Sequence, residues 1–246
     1  ITTVNLSLGA RWNSDSPPPW AMLEDELAQL EADGIFIAAA AGNGFAQYGT
    51  PGLSYPAASP HVVAVASVDA DGAMSYFSQR AARAIAAPGR AILSTVPDDV
   101  GNRNGVADDY ARLSGTSMAA PYVAGASALV REACQFAGIE NLSQQTLYQT
   151  MVAAADTLYD PATGQTYRRL NLARAIDSVM PADDYASTAE SAHDLGLAVS
   201  DLSVSGRIGR LDDQDWFRFT AGFSGRATLR WTAPCAPGWR LGDLGA

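Results

Sequence analysis

Leu113-Ser114-Gly115-Thr116-Ser117-Met118-Ala119-Ala120-Pro121 joins a loop to a long apolar helical pattern, and small residues crowd around one hydroxyl, that of Ser117. Gly115 permits a tight turn at no steric cost. Pro121 falls early in the pattern, where a missing N–H does least harm. From Tyr122 the spacing predicts a buried helix, with Val123, Ala126, Leu129 and Val130 on one face and Gly125 and Ala128 allowing close packing. A serine at the start of such a helix has a free hydroxyl beside backbone N–H groups that point outward. Those are two needs of a nucleophilic serine: access to substrate, and donors near a developing oxyanion. Gly-Thr-Ser by itself reads first as a helix cap, so the whole nonapeptide and the rest of the chain carry the argument.

Upstream, residues 1–9 alternate as a strand does and end in Ser7-Leu8-Gly9. The stretch from Arg11 to Trp20 contains three consecutive prolines and reads as a surface loop. Residues 21–33 read as an amphipathic helix, with Leu23, Leu27 and Leu30 inward and Gly34 as its stop. Ile35-Phe36-Ile37 and the alanines that follow form a buried strand. Strand, helix and second buried strand make a βαβ unit, which places both strands in a parallel sheet. The second strand runs into Ala41-Gly42-Asn43-Gly44. Ligand-facing groups in such sheets sit at the carboxyl ends of strands, and Asn43 falls there. Its amide can donate to an oxyanion; an Asn-Gly turn without chemistry is the other reading. Val62 to Val68 is a further strand, and residues 144–154 a second helix with Leu147, Met151 and Val152 inward. Asp156 to Thr166 reads as a turn-rich excursion, and Leu170 to Ile176 as a short closing helix.

At 246 residues, 48% of them hydrophobic, the chain has material for one large domain or two smaller ones. No run of about 18 apolar residues points to a membrane span. The net charge of −10, from 16 basic and 26 acidic residues, argues against nucleic acid or anionic lipid as the main partner. The chain opens on strand-like residues without an initiator Met or a signal-peptide pattern, which points to a mature product or a piece of a longer chain. Cys134 and Cys235 read as two thiols rather than a bridge, and no Cys or His cluster has metal-ligand spacing. Asp98, Asp99, Asn102, Asn104, Asp108 and Asp109 form an oxygen-rich loop that fits no full calcium loop and reads as a solvated excursion. Asp69 to Gly72 reads as a turn. Pro181-Ala182-Asp183-Asp184 changes the composition and reads as a linker, after which the pattern to about Trp231 is all-β. Ser205 to Gly209 is hairpin-like, and Asp215-Trp216-Phe217-Arg218-Phe219 alternates with period two.

Ser-Gly-Thr-Ser-Met-Ala-Ala-Pro closely resembles the nucleophile motif of the subtilisin-like serine peptidases. Ala-Ala-Gly-Asn resembles the context of that family's oxyanion asparagine. Tyr55-Pro56-Ala57, Ser75-Tyr76-Phe77-Ser78, Ala86-Ala87-Pro88-Gly89 and Ile92-Leu93-Ser94-Thr95 are similar to further landmarks in the same order. The resemblance implies an α/β fold: a three-layer, doubly wound, mostly parallel sheet over residues 1–180, with the N-terminal part of the catalytic domain missing. Residues 181–246 resemble the pre-peptidase C-terminal type of β-module, a small sandwich that lacks a clean closing strand. By the resemblance Ser117 is the nucleophile and Asn43 an oxyanion donor. Ser7, Leu8 and Gly9 form one wall of the specificity pocket and Ala40, Ala41 and Gly42 the facing wall. Small residues there imply a preference for large uncharged side chains. The resemblance further implies a secreted, monomeric enzyme acting on protein or peptide substrates, with no catalytic cofactor and at most an unassigned structural calcium.

The family's base and acid are absent. Neither His61, after Ser59-Pro60, nor His193, in Ser-Ala-His-Asp-Leu, has the His-Gly-Thr context of the base, and no Asp-Thr-Gly or Asp-Ser-Gly occurs. In that family both precede the strand that opens this chain, so the chain alone is expected to be inactive and to expose sheet edge and core. The sedolisin type shares Gly-Thr-Ser, but Asn43 and the Met-Ala-Ala-Pro continuation argue against it. A non-catalytic scaffold with a binding module fits the missing base and acid, but leaves Asn43 and Ser117 unexplained.

Overall fold

A computed structural model describes residues 1–97, 105, 109–206, 213–226, 228 and 230. Two units emerge, Ile1–Pro181 and Ala182–Ala246. The expectations for Asp98 to Asp108, for the 207–209 end of the hairpin-like stretch and for Cys235 lie outside the described residues.

The first unit is built on strands β1 (Thr3–Leu6), β3 (Phe36–Ala40), β5 (Val63–Val68) and β6 (Ile85–Pro88), all parallel neighbours in that order. Every side chain of β3 and β5 is buried, as a parallel strand covered on both faces requires. Alternate residues feed two cores. Phe36, Ala38, Ala40, Val63, Val65 and Ile85 pack on one face beneath helices α3 (Thr116–Phe136), α4 (Gln144–Ala154) and α5 (Leu172–Asp177). Ile37, Ala39, Ala41, Ala64, Ala66 and Val68 pack on the other face with Leu27 of helix α1 (Glu24–Ala32). This is the three-layer α/β arrangement. Beyond β6 the sheet continues with β10 (Gln165–Arg169) and β9 (Asp156–Asp160), antiparallel to each other.

Several local readings need correction. Asp156 to Thr166 is no loose excursion but a hairpin, bent through the Asp160 carboxylate, which accepts from Thr163 Oγ1 at 2.8 Å and Ala162 N at 3.1 Å. The proline-rich loop keeps a strand at its start, β2 (Ala10–Ser14), paired with β4 (Leu53–Tyr55). Helix α1 begins one residue after Leu23, which is therefore exposed rather than inward. On α3, Val123, Ala126 and Val130 are buried as expected, but Leu129 is 47% exposed and Gly125 and Ala128 lie on the same outer face. The small residues that admit close packing are instead Ala119, Ala120, Ala124 and Ser127. α4 and α5 start at side-chain caps, Ser143 and Asn171. A two-stranded ribbon of β7 (Ile92–Thr95) and β8 (Tyr110–Leu113) leads into α3.

In the second unit the described residues hold two paired strands, β11 (His193–Ala198) and β12 (Phe217–Ala221), which run parallel. Tyr185, His193 and Phe217 pack edge to face beside them, and Trp216 N donates to Ala186 O at 3.2 Å.

Candidate active site

The turn before α3 is set by a glycine pair. Gly115 N donates to Gly89 O at 2.8 Å, joining the end of β6 to the residue that precedes Thr116. The approach is so close that a Cβ on Gly89 would lie 2.8 Å from Gly115 O and 2.4 Å from Ser67 Oγ. The Ala-Ala-Pro-Gly landmark thus has a physical reason: only glycine lets the sheet hold this turn. Helix α3 then starts at Thr116, so Ser117 lies in its first turn, half-buried at the carboxyl ends of the strands. The amino end of this 21-residue helix favours negative charge at that point.

Asn43 is aimed by Thr116. Gly42 N donates to Thr116 Oγ1 at 3.0 Å, Thr116 Oγ1 donates to Asn43 Oδ1 at 3.1 Å, and Thr116 N donates to the same Oδ1 at 2.9 Å. A backbone N–H can only donate, so the atom facing it must be the amide oxygen. The Asn43 NH2 group is thereby turned away from Thr116. A Cβ built on Gly115 would stand 3.2 Å from Asn43 Nδ2 and 3.7 Å from Ser117 N. Those two nitrogens therefore border one spot, kept clear by the glycine.

Pro121 is not in the first turn of α3 but its sixth residue, inside the helix. Having no N–H, it leaves Ser117 O without its usual partner four residues on. Ser7 Oγ takes that place, donating to Ser117 O at 2.7 Å while accepting from Asn5 Nδ2 at 2.9 Å. Ser7 thus braces the Ser117 backbone and does not line the cavity. A cavity of ≈ 440 Å³ opens beside Ser117 and Asn43, with Leu8 and Gly9 on one side and Ala40 and Gly42 on the other. Ala41 does not reach it: strand alternation turns its side chain into the opposite core, where it is fully buried. Sequence reading missed Thr116, Gln79, Ser54 and Arg11. The Thr of Gly-Thr-Ser was the available signal for the first; the others come close only through folding.

His61 is held elsewhere. Its Nδ1 lies 2.8 Å from Glu31 Oε2, and Gln144 Nε2 donates to both its carbonyl and Glu31. It precedes β5, at the amino ends of the strands, whereas Ser117 stands at their carboxyl ends. His193 belongs to the second unit, its ring against Tyr185 and Phe217. In that unit Asp183, Asp213 and Asp215 bring carboxylate oxygens within 4.8 Å of one another, a set whose chemistry would suit a hard cation. Burial, then the charges of Asp213, Asp184 and Asp183, hold the Asp215 carboxyl above the ordinary carboxylate range.

The sequence profile of the subtilase family matches residues 1–176. The chain belongs to the subtilase family. Subtilisin BL of Lederbergia lenta is 40% identical over 129 residues, covering 52% of this chain and 41% of the relative. The major intracellular serine protease of Bacillus subtilis (strain 168) is 34% identical over 154 residues, covering 62% and 44%. The chain thus spans less than half the length of these curated relatives. Among solved structures, the prenylagaramide maturation protease PagA superposes with a TM-score of 0.59 at 28% identity, over 73% of this chain and 62% of that one. The patellamide maturation protease PatA gives 0.57 at 29%, over 72% and 62%.

Proposed function

We propose that this subtilase chain carries the nucleophile and oxyanion donors of a serine endopeptidase acting on protein or peptide substrates. Ser117 Oγ attacks the peptide carbonyl, and Asn43 Nδ2 and Ser117 N hold the oxygen as it gains charge. The C–N bond breaks, leaving an acyl-serine that water hydrolyses. The single observation that supports this most is the spot shared by those two nitrogens at the start of α3.

Ser117 must lose its proton to a base. We assign neither His61 nor His193 that role: the base and its orienting carboxylate belong to a segment of the protein beyond these 246 residues. Two surfaces support a missing partner. β1 is the last strand of its sheet, with no strand on its outer edge among the described residues. The outer face of α3 carries Tyr122 and Leu129, each nearly half exposed. On this reading the 246-residue chain alone does not turn over substrate. Secretion and a monomeric state remain part of the proposal, and the relatives include one named as intracellular.

A fluorophosphonate probe tests the reading on three proteins: this chain, its Ser117→Ala variant, and a form extended upstream. Labelling of the extended form alone, lost on Ser117→Ala, is the expected result. Labelling of the short chain would mean that it holds its own base. A folded, propeptide-free extended form that takes no label would favour the scaffold reading, which the lack of an imidazole at Ser117 within the first unit already motivates.

A further inference from the structure

The cavity beside Ser117 has fourteen lining residues, and their charges are lopsided: no Asp or Glu is among them, and Arg11 is the one cation. Arg11 stands on β2 and reaches across to helix α2 (Phe45–Tyr48), where Arg11 Nη2 donates to Gln47 Oε1 at 3.0 Å. Gln47 orients the guanidinium without neutralising it. Among the described residues Arg11 takes part in no ion pair, whereas five other arginines do. A guanidinium has five N–H donors, so one bond to Gln47 leaves most of them for a ligand. Two of the other polar side chains of the cavity are committed to its walls. Gln79 Nε2 donates to Trp12 O and Asn13 Oδ1, both at 2.8 Å, and Ser54 Oγ donates to Ala40 O at 3.1 Å. The chain as a whole is acidic, at −10. That field is screened beyond about 8 Å at physiological ionic strength, so the nearest charge decides selectivity inside the cavity.

We infer that Arg11 makes this cavity selective for a peptide side chain that ends in a carboxylate. This rests on the reading of the cavity as the place where a substrate side chain enters beside Ser117. It replaces the expected preference for large uncharged side chains, which considered the small wall residues without Arg11. Glutamate offers both an apolar stem for Leu8 and Ala40 and a carboxylate for a charge-assisted bond to the guanidinium.

The test uses tritium-acetylated tetrapeptides identical except for a final Glu, Gln, Leu or Lys, and equilibrium dialysis against the 246-residue chain. The Glu peptide is expected to bind about tenfold more tightly than the Gln peptide, with Lys weakest. Arg11→Gln should bring the Glu/Gln ratio to about one, and Arg11→Lys should retain part of it; circular dichroism confirms that both variants fold. A tighter Leu or Lys peptide, a Glu/Gln ratio that survives Arg11→Gln, or no binding by any of the four overturns the inference. Fluorophosphonate labelling of the extended form separates the two readings. Labelling without Arg11-dependent selectivity sinks only the selectivity; selectivity without labelling sinks only the peptidase.

Discussion

On the proposed function, Asn43 and Gly115 act through one small volume, and each makes a separate prediction. Asn43→Ala removes a donor from the oxyanion and should lower turnover in the extended form by on the order of 10²–10³, the loss known for such a donor in a subtilisin, with KM little changed. Gly115→Ala fills the same spot with a methyl group and should cost turnover on the order of 10² while the fold survives, since the neighbours are 3.2 Å or more away. Steady-state kinetics on one peptide anilide read both. Gly89→Ala differs in kind: its Cβ meets backbone at 2.8 Å, and overpacking of this sort costs about 1–3 kcal/mol in urea unfolding. The sequence singled out Ser117 and Asn43 as candidates because short motifs hold each in its local context. It could not show that Thr116 aims Asn43, since those residues are 73 positions apart. Nor could it tell Ser7 from Leu8, which are adjacent yet brace and line respectively.

Among elements, the β9–β10 hairpin is tied to the connection between β5 and β6 by a buried ion pair. Arg80 Nη1 donates to Asp160 Oδ2 at 2.7 Å, with side chains 1% and 4% exposed, and the guanidinium lies 3.7 Å above the Phe45 ring. Phe45 follows Asn43 by two residues. Burial pushes the Asp160 carboxyl up, but bonds from Arg80 and Thr163, the Arg80 charge and the Ala162 N–H together hold it below the ordinary value. A carboxyl depressed in the folded state adds stability above its unfolded value, about pH 4, and that stability is lost as pH falls through the folded one. Asp160→Asn should cost about 3–5 kcal/mol at neutral pH by leaving Arg80 buried and unpaired. In urea unfolding the gap to the parent should narrow below about pH 4. Periodicity made α4 and β5 legible because their burial follows one face or every face. It misjudged the outer side of α3 because apolar residues lie all round that helix, and missed the hairpin because Asp160 and Thr163 look like loop residues until Arg80 reaches them.

At the level of the whole molecule, the three layers were readable because β3 is a continuous apolar run and β5 is one apart from Ser67, as strands of a sheet covered on both faces are. The second unit was less so, its short alternations being compatible with several pairings. The open edge of β1 and the exposed Tyr122 and Leu129 belong to an α/β sheet whose outer strand still has bonding capacity. Sedimentation velocity on this chain should show association that grows with concentration, and Tyr122→Lys with Leu129→Lys should reduce it. The extended form should sediment as a monomer.

Pro121 sits inside a helix and carries no N–H, so the carbonyl of Ser117 is bonded by Ser7, a neighbour of the cavity wall, rather than by its own helix. Filling of the cavity and the orientation of Ser117 are therefore expected to be thermodynamically linked. A ligand that shifts the Ser7–Gly9 segment should change the affinity of a non-covalent ligand seated on Ser117. By reciprocity, that second ligand should change cavity affinity by the same factor. Had residue 121 kept its N–H, that carbonyl would be satisfied within α3, and the cavity wall and Ser117 would respond separately.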